Sequence, residues 1–469
     1  MTAAAEPTAD LDRDEFGRPL AGLDTWQLLA VTAYWLAITV LWGAFTFSVI
    51  PRLVESPGVL GSSHHPLAGL AIGVITTAGV IIAILVQPTM GAISDHTRSR
   101  LGRRKPYILA GTAMDLVFLS LAALAFWNQA YWLFVGAVAL LQFSSNFAQG
   151  PYQGYIPDLI PTRQVGVASG LLGAANIAGN LLGPGLAILF VVVLPGILHL
   201  PEVTLGLFVA IAAVEVTTML ITVRYVPDRP GPESKLSLLE RAKGAWGTDI
   251  LEQRDYVWLL VSRLLVLTAL VSLQAFAVFF LENAHGMNPD QAQVLQFPLI
   301  LTVGMAALLS AVPGGWISNR IGRKPVLFAA IGLGFLGAVI LAAAPAYWMV
   351  VAAALPIGIC SGVFLGVDWA LMTDIIPKAE SGRYMGISNI AVASAGPIAS
   401  TVGGIVVYVV VMAMANAVDG PAVAYRVIFV VMALELALGA WALRHVREPR
   451  RRISGTAGTE PLAAELPLS

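Results

Sequence analysis

The chain is short of charge and almost free of cysteine. Only 12% of its residues are Asp, Glu, Lys or Arg while 57% are hydrophobic, and the mean hydropathy is +0.78. A water-soluble chain carries about twice that charged share, so a soluble multidomain enzyme is excluded. The single cysteine, Cys360, lies in an apolar run, which excludes an intrachain disulfide and leaves no thiolate cluster for a metal. A net charge of -1 gives no basic footprint for nucleic acid. Residues 1–24 lack a basic region running into a short apolar core and a small-residue cleavage site, so a cleavable signal peptide is not expected. There is no nucleotide-binding glycine loop, nucleophile elbow or metal-ligand cluster. Neither an enzyme nor a cofactor is expected.

What the chain has in abundance is apolar length. Stretches able to cross hydrocarbon, which takes roughly 20 residues, recur near 27–50, 67–94, 107–126, 131–157, 166–194, 203–226, 257–281, 291–318, 326–345, 347–373, 384–414 and 423–445. Twelve spans make an all-α membrane protein. Pro88, Pro184, Pro298, Pro356 and Pro397 fall inside them, where neighbouring helices can re-satisfy the freed carbonyls. With the N-terminus inside, 24 of the 27 Lys and Arg residues face the cytoplasm; Arg52 and Arg426 fall outside and Arg263 lies in span 7. The positive-inside rule then predicts N-in, C-in topology in a cell's inner membrane.

The densest charge sits between spans 2 and 3. There Gly91-Ala92-Ile93-Ser94-Asp95 is followed by Leu101-Gly102-Arg103-Arg104-Lys105-Pro106. The pattern recurs as Gly315-Trp316-Ile317-Ser318-Asn319 followed by Ile321-Gly322-Arg323-Lys324-Pro325. Likewise Asp158-Leu159-Ile160-Pro161 with Gly166 and Gly170 recurs as Asp374-Ile375-Ile376-Pro377 with Gly382 and Gly386. Internal repetition at matched places predicts two parallel six-helix bundles. Their expected bounds are a tail at 1–26, bundles at 27–226 and 257–446, a linker at 227–256 and a tail at 447–469. Within the linker, Leu236–Trp246 reads as a solvated connection, with an interfacial amphipathic helix as the alternative.

These features resemble the major facilitator superfamily, whose loop signature is G-x-x-x-D followed by R-x-G-R-R. Within it, Val86-Gln87-Pro88, Ser94-Asp95, Ser99-Arg100 and Gly102-Arg103-Arg104 resemble the sucrose transporters. Asn146, Gln149-Gly150-Pro151, Asp158-Leu159 and Gly179-Asn180 continue that likeness, which is faint in the C-terminal half. Pro88-Thr89-Met90-Gly91 and Thr97-Arg98-Ser99-Arg100 resemble the glycoside–pentoside–hexuronide symporters as well. The departures are chemical. The acid and the arginine that sucrose–proton symporters carry in span 4 are here Gln142 and Gln153, and the sodium-binding acids of melibiose-type symporters are Ala83 and Gln87. Those coupling devices are missing.

The resemblance implies an alternating-access transporter, monomeric by default, moving a small solute such as a sugar or glycoside with or without a proton. The runner-up is a proton-driven exporter of small amphipathic molecules, toward which Gly183-Pro184 gives a slight likeness. It also implies a gate built from Gly91, Asp95, Arg100, Gly102, Arg103, Arg104 and Asp158, with Arg323 and Asp374 in the second half; Asp158 is expected to pair with Arg103 and Asp374 with Arg323. The plainer alternative is that these cations only set topology. Substrate contacts are expected from Trp35, Trp42, Gln142, Asn146, Gln149, Tyr152, Gln153, Gln274 and Asp368 on spans 1, 4, 7 and 10. Asn176 and Asn180 of span 5 add to these, or else only pack helices. Asp368 is the candidate proton-coupling group, with a structural pair to Arg263 as the equal alternative. Asp115, Glu215 and Glu435 are expected to be structural.

Overall fold

A computed structural model describes residue 19 and residues 21–60, 68–194, 204–231, 237–414 and 420–448. Twelve helices long and apolar enough to cross a membrane make up nearly all of it. They are α1 Thr25–Glu55, α2 Ala71–Asp95, α3 Lys105–Trp127, α4 Tyr131–Leu159, α5 Val165–Val191 and α6 Leu205–Tyr225. The second half adds α7 Arg254–His285, α8 Val294–Ile321, α9 Arg323–Ala343, α10 Tyr347–Ile375, α11 Lys378–Ala413 and α12 Gly420–Arg444. Each matches an expected span. The five noted prolines all lie inside helices.

Local signals explain the helix ends. Asp24 and Gln27 form a reciprocal capping box at the start of α1, and Asn288 caps the helix that leads into α8. Gly102 takes φ +104°, a left-handed conformation suited to glycine, and turns the chain into α3. The linker corrects one expectation. Instead of an irregular connection, it contains a helix at Leu238–Gly244 with its own Ser237–Glu240 capping box. That helix lies against α2.

The packing repeats. In the first half α1 packs on α5 and α6, and α4 on α2 and α3; in the second, α7 packs on α11 and α12, and α10 on α8 and α9. The halves meet through α2 against α11 and α5 against α8, again a matched pair. Glycines set the approach. A Cβ on Gly91 would overlap the Gly382 carbonyl, and one on Gly315 would overlap the Gly166 carbonyl. These four residues come from the repeated motifs, so the halves touch backbone to backbone at the end that carries the basic loops, here called the basic end.

Candidate functional site

At the basic end, a network of buried charge joins the halves. The Asp95 and Arg104 side chains are fully buried. Asp95 accepts from Arg104 Nη2 at 2.6 Å and from the backbone amides of Gly382 and Arg383 at 3.1 and 3.2 Å. Its carboxylate therefore caps the first turn of a helix in the opposite half, where helix N–H groups have no partner and the dipole favours an anion. Arg104 also donates to Ser94 Oγ at 2.5 Å, to Asp158 Oδ2 at 2.9 Å and to Ser381 Oγ at 3.0 Å. Ser381 in turn donates to Asp158 at 2.7 Å, and Arg103 lies 2.5 Å from the same carboxylate. Arg104 is thus the hub. Arg100 is exposed on the loop, outside this network. Sequence reasoning ranked the loop arginines together, because a regular expression carries no depth.

The second half repeats the scheme without a counterpart to the Asp95 charge or to Arg103. Arg323 donates to Ser318 at 2.5 Å and lies 3.3 Å from Asp374. Asn319, in Asp95's place, accepts from the Gly166 amide at 3.1 Å. A further carboxylate closes each loop: Asp228 accepts from the amides of Arg104 and Lys105, and Glu448 from those of Arg323 and Lys324.

The linker adds a clamp to the α2–α11 side. Arg383 donates to the carbonyls of Ala245 and Gly247 and to both Asp249 oxygens, at 2.6 and 2.9 Å. These hydrogen bonds hold the Asp249 carboxyl below its ordinary range. Arg241 reaches the His96 carbonyl at 3.1 Å, tying the linker to the end of α2.

Deeper in, α1, α4, α5 and α10 converge on a narrow cleft lined by Val31, Trp35, Tyr152, Gln153, Leu172 and Trp369 among others. Trp35 meets Trp369 edge to face at 5.3 Å across the two halves, and stacks on Tyr152 at 6.1 Å. Behind Trp369, Arg263 pairs with Asp368 at 2.5 Å, its guanidinium 5.6 Å from the indole ring. Several polar atoms here are buried without a partner: Trp35 Nε1, both amide atoms of Gln153, Tyr155 Oη, Arg263 Nε and Asp368 Oδ1. Buried polar groups are normally satisfied, so this concentration marks a place prepared for something else. A roomier cavity, about 420 Å³, lies elsewhere, between Arg52–Pro57 and Phe126–Gln129. It touches none of the chemistry above.

The other expected contacts are distributed. Gln87 donates to Asn146 at 2.5 Å, and Asn146 donates to Gln142 at 3.0 Å, giving an amide chain across α2 and α4. Gln149 is buried on the same helix. Trp42 donates to Ser145 at 3.4 Å. Asn180 is exposed and bonds Asn176, while Gly179 and Gly183 press on α1, so this part of α5 serves helix packing. Gln274 is exposed on α7. The structure thus gathers Trp35, Tyr152 and Gln153 at the cleft, sets Asp368 behind it on Arg263, and leaves Trp42, Asn176, Asn180 and Gln274 apart from them. The Asp368–Arg263 pair is the structural alternative the sequence offered; Trp369 and Tyr155 join the cleft unforeseen, and of these Trp369 carried a usable signal, its place beside Asp368.

Comparison with known proteins agrees with this architecture. The profile of the Major Facilitator Superfamily matches residues 25–400, and again 281–467. Multidrug resistance protein MdtG of Enterobacter lignolyticus is 24% identical over 308 residues, 65% of this chain and 68% of that one. A bacterial homologue of the iron transporter ferroportin, solved in an outward-facing state, superposes with a TM-score of 0.65 at 12% identity, over 90% of this chain and 99% of that one. The proton:xylose symporter XylE, bound to 6-bromo-6-deoxy-D-glucose, gives 0.61 at 16% identity, over 88% and 95%. The chain is a transporter of the major facilitator superfamily.

Proposed function

We propose that the chain moves a small polyhydroxy solute, a sugar or glycoside, across the inner membrane by alternating access between the two bundles. The observation that carries this reading is the cleft between Trp35 and Trp369. Flat aromatic faces stand beside unpartnered donors and acceptors, Trp35 Nε1, Gln153 and Asp368 Oδ1. A sugar needs that combination, an apolar face for its C–H surface and several hydrogen bonds at its rim. The sucrose-transporter likeness in spans 2 to 5 supports the same class, and the structural neighbour XylE is named for xylose. The cleft is too narrow here to admit a solute, so the bundles must part around it for a solute to enter.

In this reading the basic end faces the cytoplasm, with both termini inside, and Asp95, Arg104 and Asp158 form the cytoplasmic lock. The lock is broken when the bundles rock inward and remade when they return. Asp368, held by Arg263, is the C-terminal half's candidate for proton coupling. A second reading has its own support: the MdtG relatives carry the name multidrug resistance protein, so export of small amphipathic molecules is the alternative. Counterflow in proteoliposomes separates the two. Labelled sucrose or maltose is expected to exchange while an amphipathic dye does not; exchange of the dye alone overturns the sugar reading.

A further inference from the structure

Two acids expected to be structural meet in the first bundle. Asp115 on α3 and Glu215 on α6 are buried, with 1% and 3% of their surface exposed. They lie on helices that pack together, close enough for each carboxyl to perturb the other. Two like charges this deeply buried on packed helices cannot both ionise in a low-dielectric interior, so the pair holds a proton. Ser144 of α4 donates to Asp115 at 2.5 Å, while Glu215 Oε2 remains buried and unpartnered. That oxygen is the open position at which a second proton can bind.

Among the described residues, no cation lies against this pair. From α1 the pair is faced by Tyr34, from α4 by Ser144 and from α3 by Thr112; α5 carries no ionisable residue. Lys105 on α3 and Arg224 on α6 are ten and nine residues away in sequence. At 1.5 Å rise per residue that is roughly 15 Å along the helix. A structural ion pair is therefore not what these acids form. A connection to the cleft does exist: Tyr34 shares a 2.9 Å hydrogen bond with Thr112 and packs edge-on against Tyr152 at 5.3 Å. Tyr152 then stacks on Trp35 and donates to the Val31 carbonyl, so two side chains separate the acids from the cleft.

From this geometry we infer that Asp115 and Glu215 form a proton-binding site of the transport cycle, holding one proton between them in one state and two in the other. The neutral pair removes a buried negative charge beside Tyr34, which resets the Tyr34–Tyr152–Trp35 stack at the cleft. The inference rests on the chain being a solute carrier but not on which solute it carries. It also assigns proton coupling to the half in which the span 4 acid of the sucrose–proton symporters is replaced by Gln142.

The test needs no solute. Infrared difference spectra of the full chain in lipid nanodiscs are recorded while pH is stepped, with tryptophan emission followed in parallel. The wild type is expected to show a protonated-carboxyl C=O band that loses a component as pH rises, with emission changing over the same interval. In the double variant Asp115→Asn/Glu215→Gln both changes are expected to vanish. Ser144→Ala, which keeps both acids, guards against simple misfolding: it should shift the band and retain the titration. A band and an emission change that survive the double substitution overturn the proposal, as does a wild type with no protonated-carboxyl band. Failure of sugar counterflow touches only the choice of solute.

Discussion

Asp95 and Asn319 occupy matching places, at the basic end of α2 and of α8, and each reaches across to a helix of the other half. Asp95 receives two amides of the α11 first turn and a buried arginine; Asn319 receives the Gly166 amide at the start of α5. The backbone contacts beside them are the same, Gly91 on Gly382 and Gly315 on Gly166. The two seams therefore share their sterics and differ in electrostatics. A carboxylate in Asp95's position stabilises the closed state only while Arg104 and the helix end are present, because a buried charge without partners is costly. An amide at Asn319 forms its bond in any electrostatic setting and contributes less. The linker clamp, Arg383 on Asp249, reinforces the α2–α11 seam.

The comparison can be broken from the largest effect downward. Asp95→Asn makes the first seam a copy of the second and leaves Arg104 without one of its two buried carboxylates. Loss of one member of a buried pair costs about 3–5 kcal/mol. The protein should still reach the membrane, with transport slowed at least a hundredfold in proteoliposomes. Wild-type rates would remove the lock from the mechanism.

A steric challenge should instead strike both seams alike. Gly91→Ala and Gly315→Ala each force a Cβ into an opposing carbonyl, an overpacking that typically costs about 1–3 kcal/mol. Equal losses of closed-state population, read as cross-linking across each seam, fit the shared geometry. Unequal losses would place the asymmetry in the backbone.

Asn319→Asp sharpens the contrast in the opposite direction. A new carboxylate at the first turn of α5 gains about 0.3–1 kcal/mol from the helix end. Transport should slow a few-fold because the closed state is harder to leave, which pre-steady-state rates of opening can show.

The smallest effect concerns the clamp. Asp249 is exposed and its carboxyl is held low by Arg383, so its contribution is present above the ordinary aspartate value of about 3.9 and fades as pH falls below it. Melting curves should show Asp249→Asn slightly less stable than wild type at pH 7, with the gap narrowing as pH falls below about 3.9.

How much of this could be read from the sequence follows from what each feature depends on. The twelve helices were legible because hydrocarbon thickness dictates their length and composition. The two halves were legible because Gly91-to-Asp95 and Asp158-to-Pro161 recur in order. The ranking of Arg104 over Arg100 was not, since burial depends on how α3 starts, and that is set by the Gly102 turn and by Asp228 more than 120 residues away. The meeting of Asp115 with Glu215 was likewise hidden. Residues 100 apart carry no shared periodicity, and only the packing of α3 beside α6 brings them together. Trp35 and Trp369 lie in opposite halves and meet for the same reason.

One measurement bears most directly on the unequal lock. Spin labels at Arg100→Cys and Ile321→Cys, both exposed at the basic end, report the separation of the halves once buried Cys360 is replaced by alanine. Distance distributions would be compared for Asp95→Asn and Asn319→Ala. The account predicts a large long-distance population in the first and a nearly unchanged distribution in the second. Equal shifts in both, or a larger one for Asn319→Ala, would contradict it.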